Sequence, residues 1–474
     1  MTRPVIVWFR RDLRLADNPA LADAVATGAP VLPLYVLDDE TSGRFRDGGA
    51  ARWWLHGSLA ALAASLRAHG LTLVLRRGAA ERVVAELAAE AAATAVLWNR
   101  RYEPFAAESE RRLSDVLAAA GIETRRFNAA LLAEPWEIAT GAGGPYRVFT
   151  PFARALAARP PPPPGTMPRG PFVAAAPVRS ERLEDWALRP AAPDWASGFA
   201  AVWTPGEAGA RARLAGFLDD GLRDYASARD RLDGAGASRL SPHLAWGEIG
   251  PRQVAATVAA RVAADPAFAA GVEKFMAELA WREFAWHLLH HFPHMAERNW
   301  RAAFDAMAWR DDPAGLRAWR RGRTGYPAVD AGMRELWATG WLSNRARMVV
   351  ASFLTKHLLV DWRAGADWFL DTLVDADLAS NSVNWQWVAG SGVDAAPFFR
   401  IFNPSAQGQR YDPDGAWVRR WLPELADVPD KYVHEPWRAP RDRFDMTTAA
   451  PVVDHAAARA RALAAFAALP REGG

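Results

Sequence analysis

The stretch DADLASNSVNWQWVAG, residues 375–390, brings carboxylates, amides and indoles together at close spacing. A hydrophobic core would disfavour Asp375 and Asp377, because an unpaired buried charge is costly. A metal site would need a further ligand that the stretch does not supply. Its acids, asparagines and tryptophans therefore indicate a site of specific contacts, and the residues alone leave its occupant open.

Glu278, Trp281 and Arg282 fall on one face of a predicted helix, since residues three and four apart are neighbours on a helix surface. An acid, an indole and a guanidinium beside Phe275 are not typical of a core stripe. Taken alone, the motif is interpreted as a Glu278–Arg282 surface ion pair next to a half-buried tryptophan.

The segment WHLLHHFPH places His287 and His291 at the i, i+4 spacing of zinc ligands on a helix. However, no glutamate follows His287 in the HExxH manner, Pro293 ends the helix, and a third ligand is not evident nearby. We therefore expect a hydrogen-bonded cluster at a helix end and no metal.

Two loops that enter helices add polar groups. In GASRLSPHLAWGE, residues 236–248, the hydroxyls of Ser238 and Ser241 and free N–H groups suit a phosphate, although serine before proline is also a routine helix start. In NRARM, Arg347 is placed to meet one of the two aspartates in a buried ion pair, a contact that often marks a specific site.

Composition excludes several kinds of protein. The chain has 474 residues, enough for roughly two or three domains. It has no cysteine, which excludes disulfides, cysteine-ligated zinc, cysteine-ligated iron–sulfur clusters and thiol nucleophiles. It has no apolar run of about eighteen residues and no signal peptide, so we expect a cytoplasmic protein.

The charge distribution and the tryptophan content say less about function than the absence of cysteine does. The net charge is +3, and the excess of basic residues between Trp309 and Arg363 suits a polyanion or, equally, a mixed solvated surface. The 23 tryptophans are expected mostly in the core, as for Trp53, Trp54 and Trp98, but such an excess also suits stacking on planar ligands or electron transfer.

Residues 1–130 are predicted to form an α/β domain with a doubly wound parallel sheet, because short apolar runs alternate with helical patterns. The predicted strands are 5–9, 31–37, 71–75, 95–98 and 122–127, and the predicted helices are 18–27, 51–69, 80–92 and 105–120. The first strand continues into RRDLRLADNP without GxGxxG, so the domain is Rossmann-like without that dinucleotide-binding motif.

The rest of the chain is built differently. Residues 131–204 are a predicted connector, since the proline-rich centre at 159–171 is incompatible with helix or central strand. From residue 205 to 474 amphipathic helical patterns dominate, and this part is predicted to be an all-α domain.

These stretches, in this order, resemble the photolyase/cryptochrome family. The matching motifs are WFRRDLRLADNPAL, GASRLSPHLAWGE, ELAWREF, TGYPAVDAGMRELWATGWLSNRARM, DADLASNSVNWQW and DAAPFFRIFNPSAQGQRYDPDGAWVRRWLPEL. The likeness is strongest to bacterial class I or class III photolyases of cyclobutane pyrimidine dimers. It implies an α/β domain with a helical domain that holds FAD in a U-shaped conformation.

The resemblance implies that the occupant of the 375–390 site is a flavin. Asp377 is then expected to bond the polar edge of the isoalloxazine, Asp375 to pair with Arg347 against the ring, and Asn381 to lie near N5. The residues expected to bind FAD are Tyr225, Ser238, Arg239, Leu240, Ser241, Phe275, Arg282, Trp341, Asn344, Arg347, Asp375, Asp377 and Asn381.

The implied function is light-dependent DNA repair by a carbon–carbon lyase. Photoexcited reduced FAD passes an electron to a flipped-out cyclobutane pyrimidine dimer, which splits, and Glu278 is expected to stabilise the dimer's radical anion. Trp385, Trp362 and Trp309 match the family's electron-transfer chain. The residues expected to contact the lesion or DNA are Glu278, Trp281, Asn344, Arg345, Met348 and Trp387.

A cryptochrome-type blue-light receptor is the main alternative, but such receptors usually have aspartate or cysteine near N5, where this chain has Asn381. A (6–4) photolyase would carry a histidine pair where Asn344 and Met348 stand. The iron–sulfur branch would need cysteines.

The resemblance leaves a second, antenna chromophore unassigned: a deazaflavin, a differently bound folate and no antenna at all remain open. Phe105 and Ala106 stand where one branch of the family has its folate-contacting Asn–Glu pair. UV-damaged DNA is the expected partner of a monomer, with no membrane and no obligate protein partner.

Overall fold

The computed structural model describes residues 3–394, 399–440 and 450–470. The chain divides into two compact units. The first unit comprises Met1–Arg223, Ser238–Pro293 and Val374–Ala379, and the second comprises Asp224–Ala237, His294–Leu373 and Ser380–Gly474. Residues 395–398 of the DAAPFFR motif lie outside the described part.

A five-stranded sheet forms the centre of the α/β part of the first unit. Its strands are β1 (Val5–Phe9), β2 (Val31–Leu37), β3 (Val74–Arg77), β4 (Ala95–Asn99) and β5 (Glu123–Phe127). Their order is β3-β2-β1-β4-β5, and every neighbouring pair is parallel. The predicted doubly wound parallel sheet is confirmed, with Val5 of the central strand opposite both Val31 and Ala95.

The position predicted for the third strand, 71–75, is wrong because it starts too early. Pairing with β2 begins where Val74 lies opposite Leu34. Leu71 and Leu73 are buried ahead of the strand, so their apolar pattern reflects burial rather than strand pairing.

Helices make up most of the other regular structure. In chain order they are α1 (Pro19–Ala26), α2 (Gly49–Ala68), α3 (Ala80–Glu90), α4 (Pro104–Ala119), α5 (Phe149–Ala157), α6 (Glu207–Asp220), α7 (Tyr225–Ala228), α8 (Ser241–Ala245), α9 (Pro251–Ala264), α10 (Ala269–His291), α11 (Pro313–Arg320), α12 (Pro327–Thr339), α13 (Asn344–Ser352), α14 (Trp362–Thr372), α15 (Leu378–Ala389), α16 (Pro404–Tyr411), α17 (Ala416–Trp421), α18 (Asp430–Val433) and α19 (His455–Ala467). The four helices predicted between the strands correspond to α1–α4. From residue 205 onward the described residues contain no strand, which agrees with the predicted all-α part.

The two layers around the sheet enclose a core rich in indole. Trp8 and Trp98 meet edge to face with ring centroids 5.9 Å apart. Trp53, Trp54 and Trp98 are buried, which confirms the prediction that they are core residues. None of the described helices combines the length and apolar character needed to cross a bilayer.

The RRDLRLADNP segment after β1 forms a buried polar network around Arg14. The Arg14 guanidinium donates to the carbonyl oxygens of Asp17 at 2.7 Å, Ala129 at 2.9 Å and Gly247 at 2.9 Å. A buried cation requires such partners. Arg14 therefore ties the loop after β1 to segments that are distant in sequence, including the HLAWGE motif.

Gly247→Ala is expected to destabilise the protein. Gly247 has a φ of +64°, and a Cβ there would lie 2.0 Å from the carbonyl oxygen of Arg11. The control is Gly28→Ala, because Gly28 has a φ of +69° but nothing within 4 Å of the added Cβ, so it measures backbone strain alone, about 1–2 kcal/mol. We expect the melting temperature of Gly247→Ala to fall several degrees below that of Gly28→Ala. Equal melting temperatures would contradict the close approach.

Candidate functional site

The loop before α8 presents the serines predicted to meet phosphates. Ser238 is half-buried and Ser241 is exposed, while Leu240 between them is buried. Arg239 has a φ of +52°, so the chain turns sharply there. The Ser238 hydroxyl accepts weakly from the Leu240 N–H at 3.4 Å. The turn thus leaves hydroxyl groups accessible at the entry to α8, as a phosphate site requires.

The buried carboxylate of Glu248 holds α8 through a contact with His243 of that helix. Its Oε1 accepts from Trp54 Nε1 at 2.9 Å and from the Gly206 N–H at 2.7 Å, and its Oε2 lies 2.5 Å from His243 Nδ1. Glu248 and His243 are almost fully buried. This pair was not predicted from the sequence, although His243 and Glu248, two titratable side chains in the short SPHLAWGE segment, were a usable signal.

Trp246 connects that segment to the acidic stretch. Its Nε1 donates to the Val374 carbonyl oxygen at 3.1 Å, and the Arg11 guanidinium lies 3.7 Å from the centre of its ring. Val374 immediately precedes Asp375, which is buried, and Asp377, which is half-buried. One buried indole therefore fixes the backbone next to the first predicted flavin-contacting aspartate.

The acidic and basic side chains of α10 have neighbours other than those of the surface ion pair interpreted above. Glu278 is half-buried, and its Oε1 lies 3.0 Å from Lys274 Nζ. Arg282 Nη1 donates to the Ala130 carbonyl oxygen at 2.8 Å and lies 3.3 Å from Glu283 Oε1. Glu278 and Arg282 therefore each have another side chain of opposite charge as a neighbour.

The aromatic residues of α10 are held by other helices of the first unit. Phe275 is buried, with its ring centroid 5.0 Å from that of Phe217 of α6. Trp281 is half-buried and stacks on Phe149 of α5, with centroids 3.6 Å apart. The stacking of Trp281 on Phe149 was not predicted from the sequence.

His287 forms hydrogen bonds to the backbone. Its Nε2 accepts from the Tyr146 N–H at 3.1 Å, and its Nδ1 lies 3.1 Å from the Pro135 carbonyl oxygen, which also lies 3.2 Å from His291 Nε2. Burial lowers the pKa of His287 to about 4, so the ring is neutral near neutral pH. The expected hydrogen-bonded cluster is confirmed. Among the described residues no group of three or more His, Asp or Glu side chains is arranged to hold a metal.

The second unit carries the remaining predicted flavin and lesion residues. Asn344 is exposed at the start of α13, and its Nδ2 lies 3.6 Å from Met348 Sδ, so these two predicted lesion contacts are neighbours. Arg347 Nε donates to the Leu342 carbonyl oxygen at 3.0 Å. The predicted pairing of Arg347 with Asp375 joins residues of different units and stays a prediction.

Three more predicted flavin residues belong to the second unit. Asn381 Nδ2 donates to the Ala366 carbonyl oxygen at 3.1 Å, which fixes the amide and directs Oδ1 away from that contact. Tyr225 and Trp341 are buried. A Cβ on Gly234 would lie 2.9 Å from the Trp341 ring, so this glycine allows the loop to pack closely on the indole.

The three tryptophans of the predicted electron chain differ in burial. Trp385 and Trp362 are 2% and 1% exposed, whereas Trp309 is half-buried and packs against the cluster that contains Phe304. Trp362 Nε1 donates to Asn299 Oδ1 at 2.9 Å. An electron path from an interior cofactor to solvent requires buried indoles at one end and an accessible indole at the other, and these three tryptophans have that distribution of burial.

Two residues predicted to contact DNA or the lesion have partners within the second unit. Arg345 Nη2 lies 2.9 Å from Asp230 Oδ2, and its guanidinium lies 4.3 Å from the centre of the Tyr411 ring. Trp387 Nε1 donates to the Asp394 carbonyl oxygen at 3.2 Å. A phosphate that binds Arg345 would compete with Asp230 for its donors.

A cavity opens in the first unit where β1 and β2 end. Its lining combines guanidinium groups with aromatic rings, including Arg10, Arg11, Arg101, Tyr35 and Phe105. In open α/β sheets ligands bind at the carboxyl ends of the strands, so the position and lining of this cavity suit a small-molecule ligand. Phe105 was singled out from the sequence, but the cavity was not predicted.

Comparison with known proteins decides the family. Residues 275–468 match the model of the FAD binding domain of DNA photolyase, and residues 5–168 match the DNA photolyase model. The chain belongs to the photolyase/cryptochrome family. Across 99% of both chains it is 50% identical to a deoxyribodipyrimidine photo-lyase of Agrobacterium fabrum. It is 39% identical to Cryptochrome-1 of Arabidopsis thaliana over 92% of this chain and 65% of that protein.

Solved structures of the family agree with the fold. A bacterial class III photolyase from Agrobacterium tumefaciens is similar with a TM-score of 0.94 and 49% identity, covering 99% of this chain and 98% of that one. A cryptochrome from Synechocystis sp. is similar with a TM-score of 0.88 and 30% identity, covering 97% and 98%.

FAD is the cofactor of the matched photolyase domain, and the described residues suit it. In the first unit the Ser238 and Ser241 hydroxyls suit phosphates, and the half-buried Asp377 carboxylate suits the N–H donor at the polar edge of a flavin ring. In the second unit Trp385 Nε1 is a buried N–H with no hydrogen-bond partner among the described residues, which a ligand acceptor can satisfy.

Trp246→Phe is expected to loosen FAD. The change keeps an aromatic side chain but replaces the indole by a smaller phenyl ring and removes the N–H donor to the buried Val374 carbonyl oxygen, which costs about 1–3 kcal/mol beside Asp375. FAD release, followed by flavin fluorescence, should be about tenfold faster than in the wild type. Trp186→Phe is the control, because Trp186 Nε1 is also a buried donor, to Glu181 Oε2 at 2.7 Å. An equal effect of both changes would refute a specific role for Trp246.

Proposed function

We propose that this chain repairs UV-damaged DNA by splitting cyclobutane pyrimidine dimers in blue light. The observation that carries the proposal is the α10 face, where the half-buried carboxylate of Glu278 lies one turn from the flat, half-buried ring of Trp281. An acceptor beside an accessible indole suits a flipped-out base pair. The identity of 50% with a deoxyribodipyrimidine photo-lyase over the whole length supports the same activity.

The bound FAD supplies the light-driven electron, and the protein binds, orients and shields the substrate. Trp281 and Trp387 each present an indole on which a flipped base can stack, worth about 1–3 kcal/mol per base. Glu278 forms a hydrogen bond with the dimer and stabilises its radical anion. Asn344 and Met348 are neighbours and contact the same lesion.

With FAD bound, Trp385, Trp362 and Trp309 would carry electrons inward to reduce it. Asn381 would present an amide to the flavin, and an amide does not deliver a proton as readily as a carboxylic acid does. This residue is the specific reason to prefer repair over the receptor function of cryptochromes.

The cavity at the ends of β1 and β2 is proposed to hold the second chromophore, a deazaflavin or a folate. Its guanidinium groups favour an anionic ligand, and its aromatic rings favour a planar one. We further propose an antenna domain at 1–130, a connector at 131–204 and a FAD- and lesion-binding domain at 205–474. The protein acts as a cytoplasmic monomer in this proposal.

The proposed function is tested with UV-irradiated oligo(dT) and the fully reduced protein. Dimers should disappear under blue light and persist in the dark. Persistence of dimers in both conditions would refute repair and favour the receptor function.

Glu278→Gln is expected to lower the yield of repair at least several-fold while FAD stays bound, because the amide replaces one carboxyl oxygen by an NH2 group and so alters the hydrogen bond to the dimer. The measurement is dimers split per photon absorbed by reduced protein. Glu273→Gln on the exposed side of the same helix is the control and should repair normally. An unchanged yield for Glu278→Gln would remove this residue from the mechanism.

Trp309→Phe is expected to block photoreduction of oxidised FAD but to spare repair by chemically reduced protein, because phenylalanine is much harder to oxidise than tryptophan. Flavin absorbance under blue light with an external reductant gives the rate. Trp136→Phe, which alters a 48% exposed indole of the first unit, should photoreduce normally. Wild-type photoreduction in Trp309→Phe would show that electrons enter elsewhere.

A further inference from the structure

Phe149, the first residue of α5, stacks face to face on Trp281 of α10. The ring centroids are 3.6 Å apart and the planes are 6° from parallel. Each ring also meets Phe284 edge-on, with Phe284 5.9 Å from Phe149 and 5.9 Å from Trp281. Two contacts of different geometry therefore restrain the indole, one on its face and one on its edge.

The backbone that carries Phe149 is itself fixed to α10. The Tyr146 N–H donates to His287 Nε2 at 3.1 Å, just before α5 begins. One turn into α5, the Phe152 ring lies 5.1 Å from Phe284 and 5.0 Å from His287. The start of α5 thus contacts α10 on both sides of Phe149, and the ring has little freedom to leave Trp281.

We propose that Phe149 is a positioning residue for lesion recognition, which fixes the plane of Trp281 before a dimer arrives. The inference rests on the proposed function, in which Trp281 stacks on the flipped lesion. A half-buried indole can change rotamer, and each ordering step at binding reduces affinity. A ring already held flat by Phe149 avoids that loss and keeps the lesion at a constant orientation.

The same stack has an opposite interpretation that the experiment separates. If Phe149 occupied the place of the lesion itself, its removal would uncover the stacking surface and tighten dimer binding. The half-buried state of Trp281 despite this stack leaves part of the indole accessible, which favours the positioning role. Weaker dimer binding after removal of the Phe149 ring therefore supports the positioning role, and tighter binding supports the opposite interpretation.

The test compares Phe149→Leu, which keeps an apolar side chain but loses the flat ring, with Phe149→Tyr, which keeps the ring. Dissociation constants are measured in the dark for an oligonucleotide with one dimer and for the same undamaged sequence, alongside FAD content. Phe149→Leu should bind the dimer about fivefold more weakly, with undamaged DNA and FAD unaffected. Phe149→Tyr should restore dimer affinity to within about twofold of the wild type.

Val148→Ala is the local control, because this side chain is 46% exposed and precedes α5 without joining the stack. Phe149→Met replaces the leucine variant if that variant loses FAD, since methionine fills irregular gaps. Wild-type or tighter dimer binding by Phe149→Leu would overturn the inference. Failure of the wild-type protein to prefer dimer DNA would instead overturn the proposed function.

Discussion

The packing of Trp246 against Arg11 and Val374 is the constraint on which the first unit's part of the site depends. One face of the indole meets a guanidinium at 3.7 Å, and its N–H meets the Val374 carbonyl oxygen at 3.1 Å. Because Val374 precedes Asp375, the Trp246 side chain connects Arg11 of the α/β part to the backbone of the acidic stretch. The arrangement also links the lining of the cavity, which includes Arg11, to the backbone beside the proposed flavin contact.

The aromatic residues divide into groups that burial separates. Fully buried indoles such as Trp54 and Trp246 use their N–H on protein acceptors and fix helices. Trp281 is half-buried and is restrained by neighbouring rings, which suits stacking on a ligand. Trp362 is buried and Trp309 is half-buried, so together they suit electron transfer between the interior and the solvent. The large number of tryptophans therefore reflects several physical tasks.

Much of the fold follows from periodicity in the sequence, and much of the site follows from family motifs. The five parallel strands and α1–α4 agree with the alternating apolar runs, but β3 starts later than predicted because Leu71 and Leu73 are buried without strand pairing. The partners of Glu278 and the roles of Glu248 and Phe149 were not predictable, since they depend on contacts between segments distant in sequence or on competing charges nearby. Motifs identify residue types that do chemistry, but they do not identify the neighbours that hold those residues in place.

The central claim is that a flavin lies within this chain, held by the serine loop before α8 and by the acidic stretch that Trp246 fixes. Native mass spectrometry of the purified protein tests it most directly, since it weighs the intact complex without assuming any activity. The account predicts a mass equal to the polypeptide plus one FAD, with that FAD released on denaturation. A protein that carries only its polypeptide mass, and takes up no FAD when the cofactor is supplied during refolding, would contradict the account.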